Sequence, residues 1–492
     1  MNTMSFQDLV KGQYGRKIAY VNYSEVTEDN VVQIAAKGLS ILNWNRSAIR
    51  YLYDYYKGDQ PSLYRTKTVR DDINNPVVEN HAFEIVSFQN GQTYGEPVQC
   101  VSVKNDTKIN EGVDKLNSYN RNAGKAVADI ESGEFTSAVG QGYKAIQRTG
   151  KGRKIPYRII SLDPKNTIIV YSEITKEPLL SVQQLKDTQG NQYLHCFSET
   201  HEYKIKNSTL QILETSNGVP LKSRLHVFGD IPIVEYPNNA ARLSDIELVI
   251  TLLDGINEIQ SNRVDDIAQK VQSFFKFVNC EIDGDSFKEM KKNGAIVVQS
   301  NAMNGAVADV GLISQELNEE GTQVAKEDIW ENALDILAMP NREGNTGGDT
   351  AGAVQLRNGW DLARQRANLK DPFIASSDKR LNRVALNLIR QSKGENECPI
   401  DELDYDVHIV HSPTDNLLVK AEALEILLRT GIHPLVAIKV TGLWADAEKV
   451  YLQSKEYLDT KQEYNIDKMI EKAGVKDQES KAREILGSQK VG

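Results

Sequence analysis

Two long segments with helical periodicity bracket a short β-like stretch, and their charge is lopsided. The first runs from about Arg242 to Phe274. It places Leu243, Ile246, Val249, Ile250, Leu253, Ile256, Ile259, Val264, Ile267 and Val271 on one apolar stripe. At 1.5 Å per residue it is a rod of roughly 45 Å. It carries six acids against three bases. The second, about Gln315 to Met339, carries Glu316, Glu319, Glu320, Glu327, Asp328, Glu331 and Asp335 against the single base Lys326. Together the two segments hold −9 of the chain's formal −10. A surface helix that needs charge only for solubility mixes both signs. A one-signed face matters most when copies surround a common space and their potentials add. Phe275–Cys280 and Ala295–Gln299 read as strands between the rods. A glycine-rich loop, Asn341–Ala353, follows the second rod, and a long helical stretch follows the loop. This order predicts a stalk with a mobile tip, and a channel more than a pocket.

The rest of the chain reads as a mixed α+β body. Residues 1–40 are polar and weakly patterned, an expected N-terminal arm. Helices are expected at Asn43–Lys57 and Asn80–Tyr94, a strand at Val98–Val103, and two helices between Ile109 and Gly150. From Lys154 the period changes to two. Ile155–Leu162, Thr167–Tyr171, Leu179–Gln184, Tyr193–Ser198, His201–Ile205 and Thr209–Glu214 alternate as strands separated by turn residues. Asp349 or Thr350 suits the N-cap of the helix after the loop, and Pro372 within that pattern predicts a kink. Cys398–His411 returns to β, and Thr414–Tyr457 is helical with a break at Gly431–Pro434. The last residues read as a charged tail.

At 492 residues the chain exceeds one compact core. No run of about 18 apolar residues is present, so no membrane helix is expected, and no secretion signal is visible at the start. Four cysteines scattered singly suit reduced thiols and give neither a zinc nor a disulfide framework. The histidines lack metal-ligand spacing; His408 and His411 would face opposite sides of a strand. The pI near 5.4 argues against a dedicated DNA-binding surface. The glycine-rich loop lacks Gly-Lys-Ser/Thr and follows a helix instead of a strand, so it is no phosphate loop. No catalytic motif stands out; no cofactor or metal is expected.

Several local patterns then align with one family. Asn74-Asn-Pro-Val-Val-Glu-Asn80, Glu84-Ile-Val86 and Gln92-Thr-Tyr-Gly-Glu-Pro-Val98 come first. Ile231-Pro-Ile-Val-Glu-Tyr-Pro-Asn-Asn239 precedes Ser244-Asp-Ile-Glu247, and Gly348-Asp-Thr-Ala-Gly-Ala-Val354 opens the helix after the loop. In this order, over about residues 40–460, the chain resembles the portal proteins of tailed bacteriophages, in the group that includes siphophages of Gram-positive hosts.

The resemblance implies a portal fold assembled as a ring of twelve at one capsid vertex. It implies residues 41–241 as wing, 242–274 as first stem helix, 275–314 as a small α/β clip and 315–340 as second stem helix. Residues 341–353 become a tunnel loop, 354–409 a long kinked helix and return strand of the wing, 410–458 a helical crown and 459–492 a tail. The family passes double-stranded DNA inward during packaging and outward at ejection. Partners implied are the terminase large subunit, head-to-tail adaptor proteins, and major capsid and scaffolding proteins. The location is the virion, after assembly in the host cytoplasm.

The candidate DNA-channel residues are Asn341, Arg342, Gly344, Asn345, Thr346, Gly347, Gly348 and Asp349 of the loop, with the seven acids of the second rod as channel lining. A basic lining would grip phosphates and stall movement, whereas an acidic one leaves the duplex sliding on water and counterions. Arg342 and Arg357 are candidates for brakes near constrictions. The alternatives are another structural head component, such as an adaptor or capsid protein, and a DNA-processing enzyme, which the missing phosphate loop disfavours.

Overall fold

The computed structural model describes residues 5–10, 14–68, 71–104, 106–150, 153–213, 223–271, 274–278, 309–313, 319–340, 359–411, 417–444, 447 and 449–457. Side chains of residues 270–278, 309–319 and 417–419 are not described.

The N-terminal part is not an arm. Helix α1 (Phe6–Val10) buries Phe6 against the rings of Tyr14 and Tyr51. Strand β1 (Ala19–Val21) joins a sheet. Helix α2 begins at Val31 and runs to Tyr56, twelve residues earlier than the expected start. Its buried positions Val31, Ile34, Ala35, Gly38, Leu42, Asn45, Ile49, Leu52 and Tyr56 recur every three or four residues. The first half covers a sheet, and Gly38 is the point of closest approach: a Cβ there would meet Val170 Cγ2 at 2.8 Å. The second half lies in the core shared with the long rods.

Helix α3 (His81–Tyr94) starts on Asn80, whose side chain accepts from Phe83 N, as the sequence suggested. Strand β2 (Gln99–Ser102) follows, then α4 (Thr107–Asn122) and α5 (Lys125–Val139). The pattern up to Gly150 also hides a strand, β3 (Gln141–Arg148). Strands β4 (Tyr157–Leu162), β5 (Thr167–Ser172), β6 (Pro178–Lys186), β7 (Gln192–Phe197) and β8 (His201–Lys206) match the alternating runs. Short β9 (Gln211–Ile212) and β10 (Arg224–Leu225) precede β11 (Ile233–Pro237).

The larger sheet has the order β1-β5-β6-β7-β8-β10, with β9 also on β8 and β1 parallel to β5. The smaller has the order β11-β3-β4 and is antiparallel. It packs against α5, mainly through β3 and β4, and against the helix Asp371–Lys393 through β11 and β3.

The first rod, helix α6, spans Ile250–Val271 and so begins eight residues later than expected. Arg242 takes a left-handed φ of 53°, and residues 245–249 form turns. A capping box opens these turns: Glu247 N donates to Ser244 Oγ (3.4 Å) and Ser244 N to Glu247 Oε2 (3.2 Å). Strands β12 (Phe274–Val278) and β13 (Asp309–Ile313) pair antiparallel beyond it. The expected strand at Ala295–Gln299 lies outside the described residues.

The second rod, α7 (Glu319–Leu337), runs back along α6, with Arg263 on Gln323 (2.8 Å) and Lys326 on Gln260 (3.5 Å). Ala333, Leu334, Leu337 and Met339 join Ile246, Val249, Ile250, Leu253 and Ile256 in one core with α2 and α3. Farther out the stripe is less covered by the described residues: Ile259 and Val264 are half-buried and Ile267 is 56% exposed.

The stretch around Pro372 is not one kinked helix. Helix α8 (Trp360–Asn368) ends, and α9 (Asp371–Lys393) starts with Pro372 in its first turn, where a missing N–H costs nothing. Strand β14 (Tyr405–His408) pairs with β2. Helices α10 (Leu417–Arg429) and α11 (Pro434–Thr441) pack on each other, and residues 449–457 are helical.

Candidate channel surface

On α7 the described acids share one face. Glu320, Glu327, Asp328, Glu331 and Asp335 are all exposed. At 3.6 residues per turn they fall within an arc of about 100°. Ala333 and Leu337 lie on the far side and are buried, and buried Leu334 borders the acidic arc next to Glu327. The helix is held in this orientation by polar contacts at its sides. Lys326 Nζ reaches Glu79 Oε1 at 2.5 Å, and Trp330 stacks on His81 at 3.9 Å. His81 itself sits between Glu79 (3.2 Å) and Glu84 (3.1 Å). Glu316 lies outside the described residues, as does the side chain of Glu319.

The acids of the first rod do something else. Asp245, Glu247 and Asp265 are buried. Lys370 pairs with Asp245 at 3.0 Å, Arg16 with Glu247 at 2.8 Å, and Arg65 and Lys67 with Asp265. They are anchors between distant segments, and their charge does not reach a surface. Three of the first rod's six acids are therefore structural, whereas Glu258 is exposed; the described acids of the second rod form a surface.

Asp265 closes a ladder that sequence reasoning missed. Residues 74–80 run extended beside α6. The N–H groups of Asn75, Val77 and Glu79 donate to Asp265 Oδ1 (2.6 Å), Ser261 Oγ (2.9 Å) and Asn257 Oδ1 (2.8 Å). Two residues of extended chain advance about 6.6 Å. Four residues of helix advance about 6.0 Å. The two periods therefore stay in step over three rungs. The signal in the sequence was the polar set Asn257, Ser261 and Asp265 at spacing four, on a helix whose other stripe is apolar.

Asp254 faces the same joint. Its carboxylate accepts from Tyr55 Oη at 2.8 Å, and burial pushes its pKa up to about 6 against the hydrogen bond's opposite pull. A raised native pKa means the folded state binds the proton more tightly, so this group costs stability as pH rises from about 4 through 6. Asp254→Asn keeps an acceptor for Tyr55. It is expected to raise stability by on the order of 2 kcal/mol at pH 8 and by nothing below pH 4. Urea unfolding at both pH values checks this; an equal gain at both would remove the ionisation as the cause.

The loop residues Asn341, Arg342, Gly344, Asn345, Thr346, Gly347, Gly348 and Asp349 lie outside the described residues, as do Thr350 and Arg357. The flanks of the loop are described. Ala338 has φ of 51° just after α7, and Gly359 has φ of 80° just before α8. Arg366 Nη1 on α8 donates to Ile336 O at 2.5 Å, satisfying a terminal carbonyl of α7. The two ends of the loop are thus tied to each other. The break between α8 and α9 is tied as well, by Lys370 to Asp245 and by Asp371 to His411 Nε2 at 3.0 Å. His411 Nδ1 lies 3.0 Å from Gln92 O. Both neighbours of the ring are acceptors. Burial works against the charged ring, but Asp371 and the Gln92 carbonyl outweigh it and raise the His411 pKa.

Among the described residues no group of three potential metal ligands forms. Nor, among the described residues, is any helix long and apolar enough to cross a membrane. The described free cysteines, Cys100, Cys196 and Cys398, are buried.

No curated protein matches this sequence. Among solved structures, the neck of an empty gene transfer agent particle computed with C6 symmetry is similar in fold, at 12% identity over 74% of this chain and 90% of that one, with a TM-score of 0.45. The virion of a native gene transfer agent particle gives 12% identity, the same coverage and 0.44. The neck of a native particle computed with C12 symmetry gives 13% identity and 0.41. Residues 39–434 match the family model of the phage portal protein, SPP1 Gp6-like. That match takes in the body, both rods and the break between α8 and α9, and the chain belongs to the phage portal protein family.

Proposed function

We propose that twelve copies of this portal protein close a ring at one capsid vertex, and that α7 lines its channel with the face bearing Glu320, Glu327, Asp328, Glu331 and Asp335. That acidic face, turned away from the side on which α7 packs among the described residues, carries the reading. Double-stranded DNA passes this lining during packaging and ejection. Repulsion at short range holds the duplex off the wall, within a Debye length of about 8 Å. The charges of Glu316 and Glu319 add to the same channel potential.

The loop Asn341–Ala353 touches the duplex from the inner end of the rods. Asn341, Asn345 and Thr346 are neutral hydrogen bonders suited to brief phosphate contacts, and Arg342 is offset by Glu343 and Asp349. Residues 275–314 form the clip, where the terminase large subunit and then the head-to-tail adaptor dock. Major capsid and scaffolding proteins surround the ring, and assembly takes place in the host cytoplasm. The resemblance of the sequence supports a Gram-positive host. Energy comes from the motor, and the ring itself catalyses nothing.

Electron microscopy of the purified particle tests the reading: a ring with α7 innermost is expected. Light scattering that finds only a 55.1 kDa monomer at every salt and concentration would sink it. The loop is tested separately. Gly347→Ala with Gly348→Ala stiffens it and is expected to leave assembly intact while cutting the yield of full heads at least tenfold. Full-length genomes packaged and retained at normal yield would make the loop a passive linker.

A further inference from the structure

Residues 148–158 carry Arg148, Lys151, Arg153, Lys154 and Arg158 and no acid. No Asp or Glu occurs between Glu134 and Asp163. The segment holds +5 in a chain of formal −10, so the remainder holds −15. It spans the connection between β3 and β4. Arg148, Arg153, Lys154 and Arg158 are exposed, and Lys151 lies outside the described residues.

The connection is fixed to the body. Thr149 N donates to Pro156 O (2.9 Å), Thr149 Oγ1 to Ile155 O (2.5 Å) and Arg153 N to Gly150 O (3.4 Å). Ile155 packs against the core that holds Leu116 and Leu381. Exposed cations elsewhere sit on carboxylates: Lys104 on Asp404 (2.7 Å), Lys176 on Glu173 (2.6 Å) and Lys379 on Asp406 (2.6 Å). At the hairpin end the pattern fails. Arg158 Nε and Nη2 both donate to a neutral acceptor, Gln147 Oε1, at 2.8 and 2.6 Å. Among the described residues, Arg148, Arg153, Lys154 and Arg158 form no ion pair. Like charges held on one small frame repel, and an anion settling among them removes that cost.

The frame also selects the anion. Arg148 lies opposite Tyr157, and Arg158 opposite Gln147. Successive positions of a strand face opposite ways, so Arg148 and Arg158 project from opposite faces of the ribbon. A DNA duplex is straight over about 150 base pairs and meets only one face of such a hairpin end. It also meets repulsion from the −15 on the rest of the chain. A flexible acidic segment can cross the end and reach both faces. Its carboxylates are short-range acceptors for Arg and Lys, in charge-assisted hydrogen bonds.

We infer that the end of the β3–β4 hairpin docks a flexible segment, rich in Asp and Glu, of a partner protein. The inference adds a partner surface on the body to the ring reading and does not depend on ring closure.

Fluorescence anisotropy of labelled decaglutamate with the full-length chain tests it. Saturable binding is expected, weakening at least fivefold as salt rises from about 50 to about 200 mM. Arg148→Ala with Arg153→Ala and Lys154→Ala is expected to weaken it at least tenfold at unchanged melting temperature. The same loss of charge at paired positions, Lys104→Ala with Lys176→Ala and Lys379→Ala, is expected to change it less than twofold. Arg148→Ala and Arg158→Ala, on opposite faces, are each expected to weaken it severalfold. Linear duplex is expected not to bind the wild-type chain under the same conditions.

Absence of decaglutamate binding overturns the inference. An equal loss in the paired-position variant overturns the hairpin as the site and leaves bulk charge as the cause. An effect of only one of Arg148 and Arg158 overturns the segment that reaches both faces. Duplex binding that is tighter than decaglutamate binding, and lost with the same three residues, overturns the protein partner in favour of nucleic acid.

Discussion

Asp378→Ala is expected to cost most of the protein's stability. Asp378 lies fully buried with Asp129, Lys125 and Lys144 where α5, β3 and α9 meet. Lys125 Nζ is 2.8 Å from Asp378 Oδ2 and 2.7 Å from Asp129; Lys144 contacts Asp129 and lies 3.5 Å from Asp378. Tyr236 Oη donates to Asp378 Oδ1 at 2.5 Å, and Lys144 sits 3.9 Å over the Tyr236 ring. Burial alone would raise the Asp378 pKa, but the two lysines hold it far below the usual carboxylate range. The four charges cancel as a set.

Removing one carboxylate leaves two ammonium groups in the core with one partner, at about 3–5 kcal/mol. Domains are stable by only about 5–15 kcal/mol in total. Most of the variant is expected in the insoluble fraction, and the remainder to melt well below the parent. Removing a complementary pair, Asp378→Leu with Lys144→Met, leaves Lys125 and Asp129 matched and is expected to cost far less. A single variant that melts within a degree or two of the parent would show that the cluster is hydrated and cheap to break.

Reversing the α7 face is expected to spare folding and destroy function. Glu327→Lys, Asp328→Lys, Glu331→Lys and Asp335→Lys together change exposed positions only. Surface changes of this kind typically move stability by about 0.5 kcal/mol each or less. In the ring the wall would turn from repelling phosphates to binding them. Binding of linear duplex to the ring is expected to appear, with affinity falling steeply as salt rises. Full heads are expected to fall at least tenfold, with prohead assembly unchanged. A matched reversal at exposed Glu258 of α6 serves as control. Normal packaging by the fourfold variant, with no salt-dependent duplex binding, would remove α7 from the channel.

Local signals carried the parts of this fold that are local. Alternation marked β4, β7 and β8, where burial recurs near every second residue, while β5 and β6 bury four residues in a row and were marked by their short apolar runs between turns. The acidic face of α7 was legible because an exposed helix keeps its charges in periodic order. The capping box Ser244–Glu247 was also in plain view. It was quoted as a motif without its consequence, that regular helix starts only after it.

What stayed hidden depends on distant partners. Arg16 and Glu247 are 231 positions apart, so nothing near Arg16 announces that residues 14–21 are folded against the base of a rod. The early start of α2 was masked by Ala35, Ala36 and Gly38, small residues chosen for close approach to β5 and not for apolar bulk. Pro372 was ambiguous in principle, because the same residue kinks a helix from within and begins one from its first turn. The exposed acids of α7 were singled out from charge alone, whereas the loop residues rested on the glycine pattern and the family resemblance.

The ladder between residues 75–79 and α6 has a mechanical side. Its three hydrogen bonds are strung along the rod and directed across it. A pull along the rod, such as drag from a duplex being driven past, loads all three rungs at once in shear. A twist of the rod about its own axis swings Asn257, Ser261 and Asp265 together away from their partners, so it too meets the three in parallel. Neither motion can peel the rungs one after another. Only prying the rod sideways from one end does that, and the ends are where Asp245 and Asp265 hold their buried cations. The rod is therefore stiff toward thrust and torque, and its load is passed through Asp245 to Lys370 at the break between α8 and α9.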